Sequence, residues 1–162
     1  MSDIGSLDDF CAEMQRLGAA IAASSELMPH CGTTSAAGYH VTTGSDGSYV
    51  LVYSERGVPG VVVASPDPSM VMERVFVEVT TAMADTAVAN DQPLYDAREE
   101  RRRAQLSEAE VREEAISYHL RFSRIQEELL DKLNPEWRQR RSEWNAWKLR
   151  QTKDFFSEGS GD

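Results

Sequence analysis

With 162 residues, 41% hydrophobic and 27% charged, the chain can bury an ordinary core without disulfides or a structural metal, and it is too apolar for a disordered tail. Its formal charge is −10, and the whole excess falls in residues 1–97, where thirteen Asp or Glu face three Arg; residues 98–162 hold fourteen of each sign. Such a field repels nucleic acid and anionic membrane and favours basic partners. No run is long enough for a membrane span and no basic, apolar leader opens the chain, so the cytoplasm is the expected compartment.

Leu7, Phe10, Met14, Leu17 and Ile21 recur every three or four residues behind Ser6-x-x-Asp9, which predicts a helix over 7–23. Cys11 lies on its apolar side, and Cys11 and Cys31 are read as free thiols, as expected in a reducing compartment. Pro29 and Gly32 break residues 24–37 into a loop. Three strands follow, 39–43, 49–53 and 61–64, separated by Gly44–Gly47 and by the stretch Arg56–Gly60; they make an antiparallel meander that needs a helix against one face. After Ser65-Pro66-Asp67-Pro68, the run from Met70 is rich in β-branched residues. Met72, Val75, Phe76, Val79, Ala82 and Met83 nevertheless keep helical spacing over too great a length for one strand, so a helix to about Asn90 is expected.

Residues 94–133 consist of good helix formers with an apolar stripe at Ala115, Tyr118, Phe122, Ile125, Leu129 and Leu133. One helix from about 95, or two with a fresh start at Ser107-x-x-Glu110, both fit. Asn134-Pro135 ends that run and starts another, since the residue before a proline resists the α conformation and proline suits a first helical turn. This last helix, to about Lys153, carries Trp137, Trp144 and Trp147. Steps of seven and three return to one side, so with Leu130 and Leu133 the indoles form one stripe. Such a stripe is either core, with Trp137, Trp144, Trp147, Phe122 and Leu133 as its members, or a docking face for a partner.

Catalytic patterns are missing from the sequence. His30, His40 and His119 are scattered; no Cys-x-x-Cys or His-x-x-x-His spacing offers a metal site, and no glycine-rich phosphate loop or nucleophile elbow occurs. Neither a metal nor a cofactor is therefore expected. Arg101-Arg102-Arg103 sits among Glu99, Glu100, Glu108, Glu110, Glu113 and Glu114, which reads as a solvated helix face with pairs such as Glu99–Arg103 rather than as a nucleic-acid site. Glu55-Arg56-Gly57 places two charges at a turn on a rigid sheet, either as a polar hairpin tip or as a contact pair.

Two segments carry a resemblance. Tyr53-Ser54-Glu55-Arg56-Gly57 at a strand end and Leu133-Asn134-Pro135-Glu136-Trp137-Arg138-Gln139-Arg140 between two helices, with a helix ending in Met83-Ala84 and an arginine-rich helix in order between them, resemble the bacterial immunity-protein family catalogued as number sixty-three. The likeness spans roughly residues 39–150. Its usual Pro-aromatic finish is replaced here by Lys153-Asp154-Phe155-Phe156, and Arg98–Glu114 is longer than the pattern.

The resemblance implies a non-enzymatic protein of the cytoplasm that binds a cognate toxin domain and blocks it. A toxin with a basic cleft would be met by the acidic part of this chain. The expected architecture is α+β in a single domain over residues 1–156: a helix, a three-stranded meander, then three to four helices packed on the sheet and on each other, with 157–162 as a frayed tail. Asp46, Glu55 and Arg56 at the sheet edge, with Glu73 and Glu78, are the candidate toxin contacts. A secretion chaperone or adaptor, sharing the acidity and the lack of catalytic residues, is the alternative.

Overall fold

A computed structural model of the chain describes residues 4–33, 36–90 and 104–158. The chain forms two compact units, residues 1–80 and 81–162, which divide in the middle of one helix.

Helix α1 (Leu7–Ala20) starts where the Ser6 hydroxyl accepts from the Asp9 amide at 3.1 Å, with Asp8 and Asp9 favourably placed in its positive first turn. Phe10, Met14, Leu17 and Ile21 are buried as their spacing predicts. The helix ends three residues earlier than expected, in a Schellman motif. The Ala23 amide donates to Gly18 O at 3.0 Å and the Ala22 amide to Ala19 O at 3.1 Å, which requires Ala22 at φ +55°. Alanine is strained there and glycine is not, so Ala22→Gly should raise stability by about 0.5–1 kcal/mol in a denaturant titration. A loss instead would mean that the helix continues through Ala22.

The sheet has four strands in the order β1-β2-β3-β4: β1 (His30–Cys31), β2 (Gly38–Thr43), β3 (Tyr49–Glu55) and β4 (Val58–Ser65). The last three form the antiparallel meander expected. The first is an addition: β1 lies parallel to β2, pairing His30 with His40 and Cys31 with Val41, inside the stretch expected to be loop. A two-residue strand has no periodicity to read, so only tertiary pairing defines it.

A second difference is the length of β4. The turn before it is just Arg56 and Gly57, at φ +51° and +79°, the two left-handed residues of a tight hairpin loop. Val58-Pro59-Gly60 looks like turn in sequence because of its proline and glycine. In the fold, Glu55 and Val58 close the hairpin, so the next pair, Ser54–Pro59, is one that exchanges no hydrogen bonds. The Pro59 nitrogen then points to the open edge, where no donor is lost and strand addition is obstructed. Farther along, Val62 is an extra residue opposite the Leu51–Val52 step and makes a bulge.

Helix α2 (Pro68–Asn90) begins with Asp67 capping the Ser69 amide at 2.8 Å and Pro68 in the first turn. Its apolar residues Val71, Met72, Val75, Phe76 and Val79 are all buried. Against one face of the sheet stand α1, through Phe10 stacked on Tyr49 at 5.2 Å, and the first part of α2, through the Tyr39–Glu78 hydrogen bond. Val41 and Leu51, fully buried, lie on that face.

The cysteines are not free thiols. Cys11 of α1 is bonded to Cys31 of β1, closing a sequence separation of 20 residues. Nothing in the sequence marks the pair, because the bond depends on β1 existing.

In the second unit, α3 (Glu108–Leu133) opens on a capping box in which the Ser107 amide donates to Glu110 Oε2 at 2.8 Å, so a fresh start at Ser107 is what forms. Asn134 ends it and caps α4 (Pro135–Glu158), accepting from the Glu136 amide at 2.9 Å. The proposed onset of helix near 95, the Arg101–Arg103 run with its Glu99–Arg103 pair, and residues 159–162 of the expected tail lie outside the described residues, whereas Ser157 and Glu158, also expected to fray, are the last residues of α4. Among the described residues, no helix is long and apolar enough to cross a membrane.

The contact between α3 and α4 is apolar at one end and polar along the rest. Leu130 is fully buried and Trp137 is 3% exposed near the turn. Beyond them Arg141 donates to Gln126 Oε1 at 2.7 Å, Gln126 donates to Thr81 Oγ1 at 2.8 Å, and Asn145 donates to Glu127 at 3.0 Å. His119 Nε2 meets Asn145 O at 2.9 Å.

Trp144 and Trp147 differ from the core expectation: they are 44% and 42% exposed. The face of α4 that meets α3 follows the four-residue ridge Trp137, Arg141, Asn145. Steps of four advance about 40° in one sense around a helix, while the seven-three spacing of the indoles drifts the other way, to about 80° at Trp147. The two series share only Trp137. Phe122 and Leu133, also expected in the core, are half-buried.

Candidate protein-binding face

The five residues expected to form contacts are not brought together. Asp46 precedes β3 and Glu55 ends it, so roughly 20 Å of strand separates them. Asp46 is also engaged within its own turn, where its Oδ1 accepts from the Ser48 amide at 3.0 Å and the Ser48 hydroxyl at 2.7 Å. Those bonds hold its carboxyl below the usual range and shape the turn with Gly47 at φ +81°.

At the other end of the sheet a group does assemble. Tyr39 stands opposite Tyr53 with ring centroids 4.8 Å apart, and Glu55 and Arg56 lie exposed at the adjoining hairpin tip. Helix α2 runs back toward this end, where Glu78 accepts the Tyr39 hydroxyl at 2.9 Å and pairs with Arg74. Burial first, and then the Glu78 carboxylate, push the Tyr39 phenol up to about 12. At neutral pH it therefore remains a fixed donor and is unsuited to act as a base.

Tyr53 is 40% exposed, so this end offers one aromatic ring on a rigid strand, backed by Tyr39 and bordered by the carboxylates of Glu55 and Glu78. Glu73, five residues earlier on α2, is half-buried. Tyr39, Tyr53 and Arg74 are not among the site residues expected from the sequence. The available signal is the Tyr39/Tyr53 pair, one on each strand at hairpin-matched positions.

The sheet also places His30 beside His40, two residues that are not neighbours in sequence. His30 is exposed, whereas His40 is 6% exposed and its Nδ1 has no hydrogen-bond partner. Among the described residues no three His, Cys, Asp or Glu converge in a way that could hold a metal ion.

The first unit as a whole is acidic, with Glu55 and Glu78 at this end of the sheet and Asp46 and Asp67 at the other. Residues 1–80 carry ten Asp or Glu against Arg16, Arg56 and Arg74, and two of those three bases are engaged by acids: Arg16 binds Glu13 at 2.7 Å and Arg74 binds Glu78. What the first unit presents to solvent is thus negative, with Tyr53 as its exposed aromatic anchor at the hairpin end. Compared with known proteins, the chain matches no family model, no curated protein and no solved structure.

Proposed function

We propose that the chain is an immunity protein: a non-catalytic inhibitor that binds a basic face of a toxin domain and blocks it. The observation that carries this reading is an acidic first unit in which one sheet end sets Tyr53 against Tyr39, ties Tyr39 to Glu78 and leaves Glu55 exposed at the adjoining tip. A rigid aromatic with flanking carboxylates suits lysine and arginine side chains, through ring contact and ion pairing. The ordered resemblance running from Tyr53–Gly57 to Leu133–Arg140 supports the same reading. Its site of action would be the cytoplasm; the Cys11–Cys31 bridge is the feature that pulls the other way.

The first test is recovery of the partner from the native host and its expression alone and together with this chain. A partner that halts growth alone and is tolerated in co-expression is the expected result. A harmless secreted partner that merely becomes more soluble would replace this reading with the chaperone. With the toxin in hand, Tyr53→Ala should weaken binding about tenfold or more. Raising ionic strength from about 0.05 M to about 0.5 M should slow association by an order of magnitude, and a flat salt response would remove the electrostatic part of the proposal.

A further inference from the structure

Helix α4 leaves a second face uncovered. Trp144 and Trp147 stack on one another with centroids 4.9 Å apart, each more than two-fifths exposed. Two large indoles seldom stand in water on one helix without something to cover them. Around this face the residues fall into a short heptad pattern. Arg140, Trp144, Trp147 and Gln151 occupy the seam at steps of four, three and four. On one flank are Glu136 and Glu143, followed by Arg150; on the other are Arg141 and Lys148, whose cationic groups stand 5.8 Å and 5.6 Å from the Trp144 ring centre.

The distribution of charge selects the occupant. Two α4 helices packed antiparallel about a two-fold axis would bring each flank against its own copy, so that repulsion of Arg141 by Lys148 on one side offsets attraction of Glu143 to Arg150 on the other. Packed parallel, each flank meets the opposite one: Glu143 of one copy faces Lys148 of the other, twice over, and Glu136 faces Arg141. We propose that two copies of this chain associate through this face, α4 against α4 and parallel, with the Trp144 and Trp147 indoles at the centre. Arg140 and Gln151 at the seam weaken the pairing and fix its register. Two heptads cover on the order of 1,000 Å², the low end for a specific interface, so the dimer forms and dissociates in the micromolar range.

Sedimentation velocity on the full chain, from about 5 to about 200 µM, reads this directly. The wild-type protein should shift from monomer to dimer across that series. The double variant Trp144→Ala/Trp147→Ala should stay monomeric with an unchanged far-ultraviolet spectrum. Lys148→Glu alone and Glu143→Lys alone should each weaken the dimer about tenfold, and the two together should restore it. Both positions are exposed, so the charge variants fold as the wild type does. A wild-type chain monomeric throughout overturns the proposal, as does a dimer indifferent to loss of the indoles. Failure of the combined reversal to restore pairing overturns the parallel arrangement.

Discussion

Trp137→Ala should cost about 3–5 kcal/mol of stability, while Trp144→Ala and Trp147→Ala should each stay within about 1 kcal/mol. All three substitutions delete the same side chain from the same helix, so propensity and unfolded-state effects nearly cancel. What differs is surroundings. Trp137 is 3% exposed at the closed end of the α3–α4 hairpin, close to fully buried Leu130, and removing it opens a cavity beside a one-residue connection that cannot readily collapse. Trp144 and Trp147 lose mainly each other and, for Trp144, two cations over the ring. Denaturant titrations at low micromolar concentration, where self-association is minimal, give the comparison. Equal losses at 137 and 144 would show that the indole stripe is core after all.

That contrast also shows how far the sequence is legible. Periodicity locates α1, α2 and α4 because each has a long apolar repeat, and the caps Ser6, Ser107 and Asn134 are recognisable because a side-chain oxygen before a helix has few other uses. The direction of the α4 stripe is misleading for a physical reason. The ridge that meets α3 is built from Arg141 and Asn145, polar residues whose partners Gln126 and Glu127 are on another helix. A hydrophobic pattern cannot report a contact satisfied by hydrogen bonds.

The sheet behaves similarly. Turn residues at 44–47 place β2 and β3 correctly, yet Pro59 and Gly60 disguise the start of β4, since proline is tolerated on an edge whose nitrogen faces outward. At the candidate binding face, Glu55, Arg56 and Glu78 are visible in the sequence as charges. Tyr39 and Tyr53 show only as matched positions of the expected hairpin, because their partnership exists across the strand register. Asp46, conspicuous by its charge, is occupied by Ser48.

Reducing the Cys11–Cys31 bond should lower stability by about 3 kcal/mol, the chain-entropy value for a loop of this separation of 20 residues, and the thermal midpoint by roughly 10 °C. The local structure argues for a loss rather than a neutral change. Strand β1 meets β2 at only two residue pairs, extended by the Gly32 amide donating to Val41 O at 2.8 Å. The bridge is what ties that short strand to α1; upstream, Met28 packs over Gly18 of the same helix. Without the bond, β1 should fray first, and amide exchange at 30–32 should quicken before that of β3. Cys11→Ser/Cys31→Ser should reproduce the effect of reductant and show none of its own sensitivity to it.

The redox state of the same pair reports the compartment in which the protein resides. Thiol pools in the cytoplasm keep such bonds open, and Cys31 is exposed to them. Rapid alkylation of the protein in living cells, followed by mass measurement, distinguishes two free thiols from a closed bridge. Free thiols would agree with an inhibitor working in the cytoplasm, where its stability would be that of the reduced chain. A closed bridge would place it in an oxidising compartment and count against the proposed cytoplasmic site of action.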